Sequence, residues 1–186
     1  MGQEIQCFLL EPADVAEVSL RRFTYTSEGC AHSWGHDAKA VIGQVPFPHA
    51  NNLEGEVEGG MLDHADPRWP KKCEACGYVF KEADEWQVSR HRMYQHPEVG
   101  LVVLGRAPPG SMWYASWLRE LDGFERSPDG NVLVVRTPGG DWVVDGPSNN
   151  GNGWTRSGKP PHVTANPSIV AGSYHGFLRD GKLIEV

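Results

Sequence analysis

Cys73-Glu74-Ala75-Cys76 is the segment of this 186-residue chain best equipped for chemistry. Two cysteines two residues apart, followed at once by Gly77 and a strand-like stretch, form a knuckle that presents two thiolates to one ion. The opening run Met1-Gly2-Gln3-Glu4-Ile5 has no basic region and no long apolar stretch, which predicts that no secretory signal directs the chain. Without export, a Cys-x2-Cys pair reads as a metal site rather than a disulfide. Structural Zn2+ is the expected cofactor, because thiolates bind it at about 2.3 Å in closed tetrahedral sites.

A tetrahedral site needs two more ligands, and the sequence offers two sources. Downstream, Cys73-x2-Cys76-x14-His91-x4-His96 approaches a Cys2His2 finger, with Phe80 where such a finger places a core aromatic. Its central spacing exceeds the usual run of about 12 residues, and it requires Gln87 to His96 to be helical. Upstream, the polar loop from Ser27 to Asp37 holds Cys30, His32 and His36. A second ligand pair from a distant loop is how zinc ribbons close their site, and it explains a cysteine in a glycine-containing polar loop. Cys7 lies in an apolar stretch and reads as a small buried hydrophobe.

A catalytic zinc would keep one position open, with a general base nearby. His36, Asp37, His64 and His175 are the groups that a metal-dependent hydrolase would have to bring together. Two thiolates on a knuckle favour a closed, structural site instead. The sequence has no His-Glu-x-x-His, no Gly-x-Ser-x-Gly and no phosphate-binding loop of the Walker type. Gly139-Gly140 and Gly151 to Gly153 read as hairpin turns and loop. His162 and His175 read as hydrogen-bonded structural histidines. No catalytic residue is assigned.

The elements that must position these residues are short. Ile5–Leu10, Ala38–Val45 and Leu101–Leu104 read as strands. Val15–Tyr25 is ambiguous, since Pro12-Ala13-Asp14 could open a helix before Arg22-Phe23-Thr24-Tyr25 turns strand-like. Gln87–Tyr94 fits helix or strand. Ser111 is placed to cap a short helix through Leu121, with Met112, Ala115, Leu118 and Leu121 near helical spacing. Asn131–Thr137 and Asp141–Asp145 read as a hairpin closed by Pro138-Gly139-Gly140. His162–Thr164, Gly176–Leu178 and the final Leu183–Val186 are strands, the last two joined by a turn at Asp180-Gly181. The expected fold is mostly β: a turn-rich, barrel-like sheet domain with a zinc-knuckle element and one or two short helices. One domain, 1–186, is expected. Residues 46–72 read as a long acidic loop or insertion, and 73–96 as the knuckle segment.

Composition agrees. Gly (22) and Pro (14) exceed average usage without loss of apolar content (39%), which signals many turns rather than disorder. Seven tryptophans, spread from Trp34 to Trp154, read mainly as core, with exposed stacking platforms as the alternative. No apolar run reaches the ~20 residues of a membrane span. A net charge of −7 makes nucleic acid an improbable partner, because duplex affinity comes mainly from neutralising phosphates.

Four runs together carry a resemblance: Asp66-Pro67-Arg68-Trp69-Pro70, Asp84-Glu85-Trp86-Gln87, Ala107-Pro108-Pro109-Gly110-Ser111-Met112-Trp113, and the tail from Asn166-Pro167-Ser168-Ile169 to Tyr174-His175-Gly176-Phe177-Leu178-Arg179-Asp180-Gly181. Across residues ~30–181 the chain resembles small uncharacterised proteins of tailed bacteriophages and prophages. The resemblance implies location in the virion or the bacterial host cytoplasm. It also implies a Cys and a His-Asp-Ala run ahead of the knuckle, like Cys30 and His36-Asp37-Ala38, which tips the ligand choice to Cys30, His36, Cys73 and Cys76. His32, His91 and His96 stand as alternatives. The expected function is that of a non-enzymatic virion component, head- or capsid-associated, whose partners are other phage structural proteins or itself. The alternatives are a protein that binds and modulates a host factor, and the hydrolase.

Overall fold

The computed structural model describes residues 2–26, 28–31, 34–47, 66–118, 130–144, 146 and 155–186. Of these, 60% are in strands and 4% are helical, and one sheet curls into a half-barrel. The strands are β1 (Glu4–Gln6), β2 (Phe8–Leu9), β3 (Glu11–Thr24), β4 (His36–Pro46), β5 (Glu85–His96), β6 (Gly100–Val103), β7 (Ser111–Tyr114), β8 (Leu133–Thr137), β9 (Gly140–Val143), β10 (Thr155–Lys159), β11 (His162–Ala171), β12 (Tyr174–Arg179) and β13 (Lys182–Glu185). Among the described residues, helical turns are confined to two 3-10 segments, Leu104–Arg106 and Ser116–Leu118. Among the described residues no helix is long and apolar enough to cross a membrane.

The described chain has two compact units. One joins Met1–Pro12 to Tyr94–Val186, and the other is Ala13–Met93. In the first unit, β1-β13-β12-β11-β10 form one sheet and β2-β7-β8-β9 another. Their shared core holds Cys7, Met112, Leu133, Val135, Val163, Ile169, Leu178 and Leu183, all with no more than traces of exposure. The strands β10 to β13 are a meander of two-residue hairpins, with Lys159 opposite His162, Ala171 opposite Tyr174 and Arg179 opposite Lys182. At the last of these, Asp180 (φ 44°) and Gly181 (φ 71°) both take the left-handed conformation that the Asp-Gly pair favours. On β12, buried Tyr174, Gly176 and Leu178 alternate with outward His175 and Arg179.

The second unit is built on β3, β4 and β5, with the knuckle between β4 and β5. In the third sheet the order is β4-β3-β5-β6. β3 pairs antiparallel with β4 from Val15 opposite Pro46 to Thr24 opposite His36, interrupted by a bulge at Val18/Ser19.

Three expectations change. Glu11–Thr24 is one strand with no helical start. Pairing with β4 and β5 holds it extended, and residues 16–20 are buried in succession, so the alternation that marks a strand is lost. Ser111–Tyr114 is a strand rather than the first turn of a helix, because β7 lies between β2 and β8 and buries Ser111, Met112 and Trp113 in succession. Among the described residues of the expected helix only Ser116–Leu118 is helical, and 119–121 lie outside the described residues. In the β8–β9 hairpin, Thr137 pairs with Gly140, so the loop has two residues, Pro138-Gly139, and not three. Of the expected acidic loop 46–72, residues 48–65 lie outside the described residues.

Candidate metal centre

Four side chains converge within the second unit. The ligand atoms of Cys30, His36, Cys73 and Cys76 all lie within 4.8 Å of one another. Cys30 Sγ is 3.8 Å from Cys73 Sγ, and His36 Nδ1 is 3.2 Å from Cys76 Sγ. Tetrahedral zinc with bonds of about 2.3 Å to sulfur and about 2.0 Å to nitrogen requires edges of about 3.8 Å and 3.5 Å. The Cys30–Cys73 spacing equals such an edge, His36–Cys76 is about 0.3 Å shorter, and the four ligand atoms together are close enough to share one ion.

Local structure explains the convergence. The arms of the knuckle pair through Cys73 N–H to Tyr78 O (2.8 Å), Phe80 N–H to Lys71 O (2.9 Å) and a bridge between Lys72 and Val79. Gly77 N–H bonds Cys73 O (2.9 Å) at φ 76°, a conformation in which a side chain is strained. The tight turn points both sulfurs to one side. The facing pair comes from the other end of the sheet: His36 is the first residue of β4, and Cys30 lies in the connection from β3. A backbone bond from Glu74 N–H to Asp37 O (3.3 Å) joins the two halves.

The surroundings favour thiolate at Cys73. Burial works against the charged form, but the backbone N–H groups of Asp37, Ala75 and Cys76 outweigh it and bring the thiol down to about 6. The Asp37 N–H lies 3.4 Å from Cys73 Sγ. Cys76 is exposed and titrates above the ordinary thiol value. The backbone N–H of Tyr78 pulls it down, but partial burial and the neighbouring Cys30 and Cys73 sulfurs prevail. Sulfurs that repel one another's negative charge are a site prepared for a cation. His36 is buried, and the Tyr78 ring stacks on its imidazole with centroids 4.0 Å apart and planes 4° from parallel. The Tyr78 hydroxyl donates to Asp84 Oδ2 (3.3 Å), which also accepts from Lys81 N–H (2.7 Å). A small apolar cluster of Ala38, Cys73 and Phe80, with Cys30 and Tyr78 against it, includes two of the four ligands.

Of the alternative ligands, His32 and likewise His64 lie outside the described residues. Residues Gln87 to His96 are strand, so the helix that a local finger needs is replaced by β5. His91 and His96, five residues apart, point to opposite faces there. His96 is committed to its own turn: Nδ1 accepts from Glu98 N–H (3.1 Å) and Val99 N–H (3.4 Å), and its ring meets Phe8 edge-on at 5.2 Å. Of the groups named for hydrolysis, His36, Asp37 and His175 are among the described residues and do not form one open site. His36 is among the three sulfurs, the Asp37 carboxylate accepts from Arg21 Nε (2.7 Å), and His175 faces outward on β12. Cys7 is fully buried, and burial pushes its thiol up to about 12. Trp69, Trp113 and Trp142 are core residues, whereas Trp34, Trp86 and Trp117 are exposed and Trp154 is not among the described residues.

Sequence reasoning missed the Tyr78 stack and the Asp84 contact. Tyr78 carries a signal in hindsight, as an aromatic one residue beyond the knuckle glycine. No family model matches the chain, and neither a curated protein nor a solved structure matches it.

Proposed function

We propose that the chain is a non-enzymatic protein of a tailed phage, stapled by one structural Zn2+ on Cys30, His36, Cys73 and Cys76, and that it works as a head- or capsid-associated virion component. The observation that carries the reading is the convergence of four protein donors from two distant stretches of sequence. Three thiolates and an imidazole would fill a four-coordinate shell and leave no position for water or substrate, as structural rather than hydrolytic zinc sites do. The thiolate-rich donor set selects zinc over harder divalent ions. The apolar cluster beside the ligands is small, so a metal would add cohesion at the knuckle. The phage assignment is supported by the sequence runs around Asp66, Asp84, Ala107 and Asn166 that resemble tailed-phage proteins. A protein of this kind acts through its surface, with other structural proteins or its own copies as partners.

The virion role is tested by quantitative mass spectrometry of density-purified particles of the encoding phage. The chain is expected at a fixed copy number relative to the major capsid protein. Its absence from particles, with presence in infected-cell lysate, refutes the virion assignment in favour of action on a host factor.

A further inference from the structure

We infer that Arg22 is a positioning residue for the metal centre, a latch that holds the knuckle against the β3–β4 hairpin so that the four ligands are assembled before an ion arrives. The inference rests on the zinc reading above. Two ligands belong to the hairpin side and two to the knuckle, so affinity depends on what holds these halves together without the metal.

Arg22 lies on β3 opposite Ala38, two residues before Thr24, which pairs with His36. Its side chain crosses to the root of the knuckle. Nη1 donates to Pro70 O (3.3 Å) and Nη2 donates to Lys81 O. Those two carbonyls flank the paired arms, one just before Lys71 and one just after Phe80. The guanidinium also lies 5.5 Å from the centre of the Trp69 ring and 5.2 Å from that of Phe80, so an aromatic from each arm packs on the same cation. Arg22 is only 4% exposed. A guanidinium is seldom buried to this degree unless most of its donors are used, because desolvation is costly; Nη1 and Nη2 are bonded here, while Nε is buried without an acceptor. Here the planar fork spans two backbone acceptors on different arms, which the single ammonium of lysine cannot reproduce. Phe80 contacts Arg22 and also belongs to the apolar cluster that contains Cys73. The latch therefore reaches the metal through one intervening side chain.

Residues that orient metal ligands from outside the coordination shell typically change affinity by about 10–100-fold. The test is zinc affinity of the full chain by competition with a chromophoric chelator, alongside the Co2+ absorption spectrum at saturation. Variants are Arg22→Met, Arg22→Lys and, as a control for general destabilisation, Leu20→Ala, which removes a fully buried side chain two residues away on β3. Wild type is expected to bind one equivalent. R22M should bind at least about tenfold more weakly with an unchanged thiolate-to-cobalt band, R22K should fall between, and L20A should lose stability while keeping wild-type affinity. Should R22M not fold, R22K decides by the same criterion. Wild-type affinity in either folded arginine variant overturns the latch alone, as does an equal loss in L20A. A wild-type chain that binds no metal overturns the zinc reading and the latch together.

Discussion

Removing the metal should unfold the second unit at a much lower temperature. That unit, Ala13–Met93, has about eighty residues. The apolar cluster around its centre is Ala38, Cys73 and Phe80 with Cys30 and Tyr78 against it, and two of those five are themselves ligands. An ion that binds only the folded chain stabilises it by about 2.7 kcal/mol at one hundred times Kd and about 4.1 kcal/mol at one thousand times. For a unit of 60–100 residues, each kcal/mol moves the midpoint by roughly 4–8 °C. Free zinc held at one hundred times Kd should therefore raise Tm by about 11–22 °C over the same protein in excess chelator. Differential scanning calorimetry in a zinc-buffer series measures this directly, and the midpoint should climb steadily with each tenfold increase in free zinc. A chelated sample melting within about 2 °C of the loaded one, under conditions where the loaded sample holds a full equivalent, would refute the reasoning. The fold would then not depend on its staple.

Other predictions follow from the same structure. Tyr78→Ala should weaken zinc binding by about tenfold by freeing His36 from its stacked ring, whereas Tyr78→Phe, which keeps the stack and loses the bond to Asp84, should stay close to wild type in chelator competition. Leu178→Ala in the core of the first unit should cost about 2–5 kcal/mol in urea unfolding, since Leu178 is fully buried among β11, β12 and β13; a loss below 1 kcal/mol would mean that core is misassigned. Burial keeps the Cys7 thiol protonated up to about pH 12 in the folded chain, against about 9 when unfolded. Its contribution is thus complete below pH 9 and declines as pH rises toward 12, by at most about 1.4 kcal/mol per pH unit. With zinc saturating, Cys7→Ala should flatten the loss of stability between pH 9 and 10, and an unchanged slope would exclude Cys7 as its source.

The sequence makes some features of this molecule plain and hides others for identifiable reasons. The mostly β class is legible because turn signals such as Asp180-Gly181 and Pro138-Gly139 punctuate short apolar runs. The knuckle is legible because Cys73, Cys76 and Gly77 satisfy a local geometric requirement. The facing pair, Cys30 and His36, is only half legible: composition offers it, but just the pairing of β3 with β4 brings it opposite the knuckle. β3 is ambiguous and β7 helix-like in the sequence because each buries several residues in succession, and consecutive burial erases the period-two pattern. Arg22 carries no sequence signal at all, since its role arises from two backbone carbonyls and two rings that meet only in the folded chain.

The most direct test of the central claim is metal content by inductively coupled plasma mass spectrometry, on the purified chain and on single variants dialysed against a weak chelator. One zinc per chain is expected, lost in Cys30→Ser and Cys73→Ser and retained in His91→Ala and His96→Ala. A chain without bound metal, or one whose zinc is lost with His91 or His96 and kept without Cys30, would contradict it.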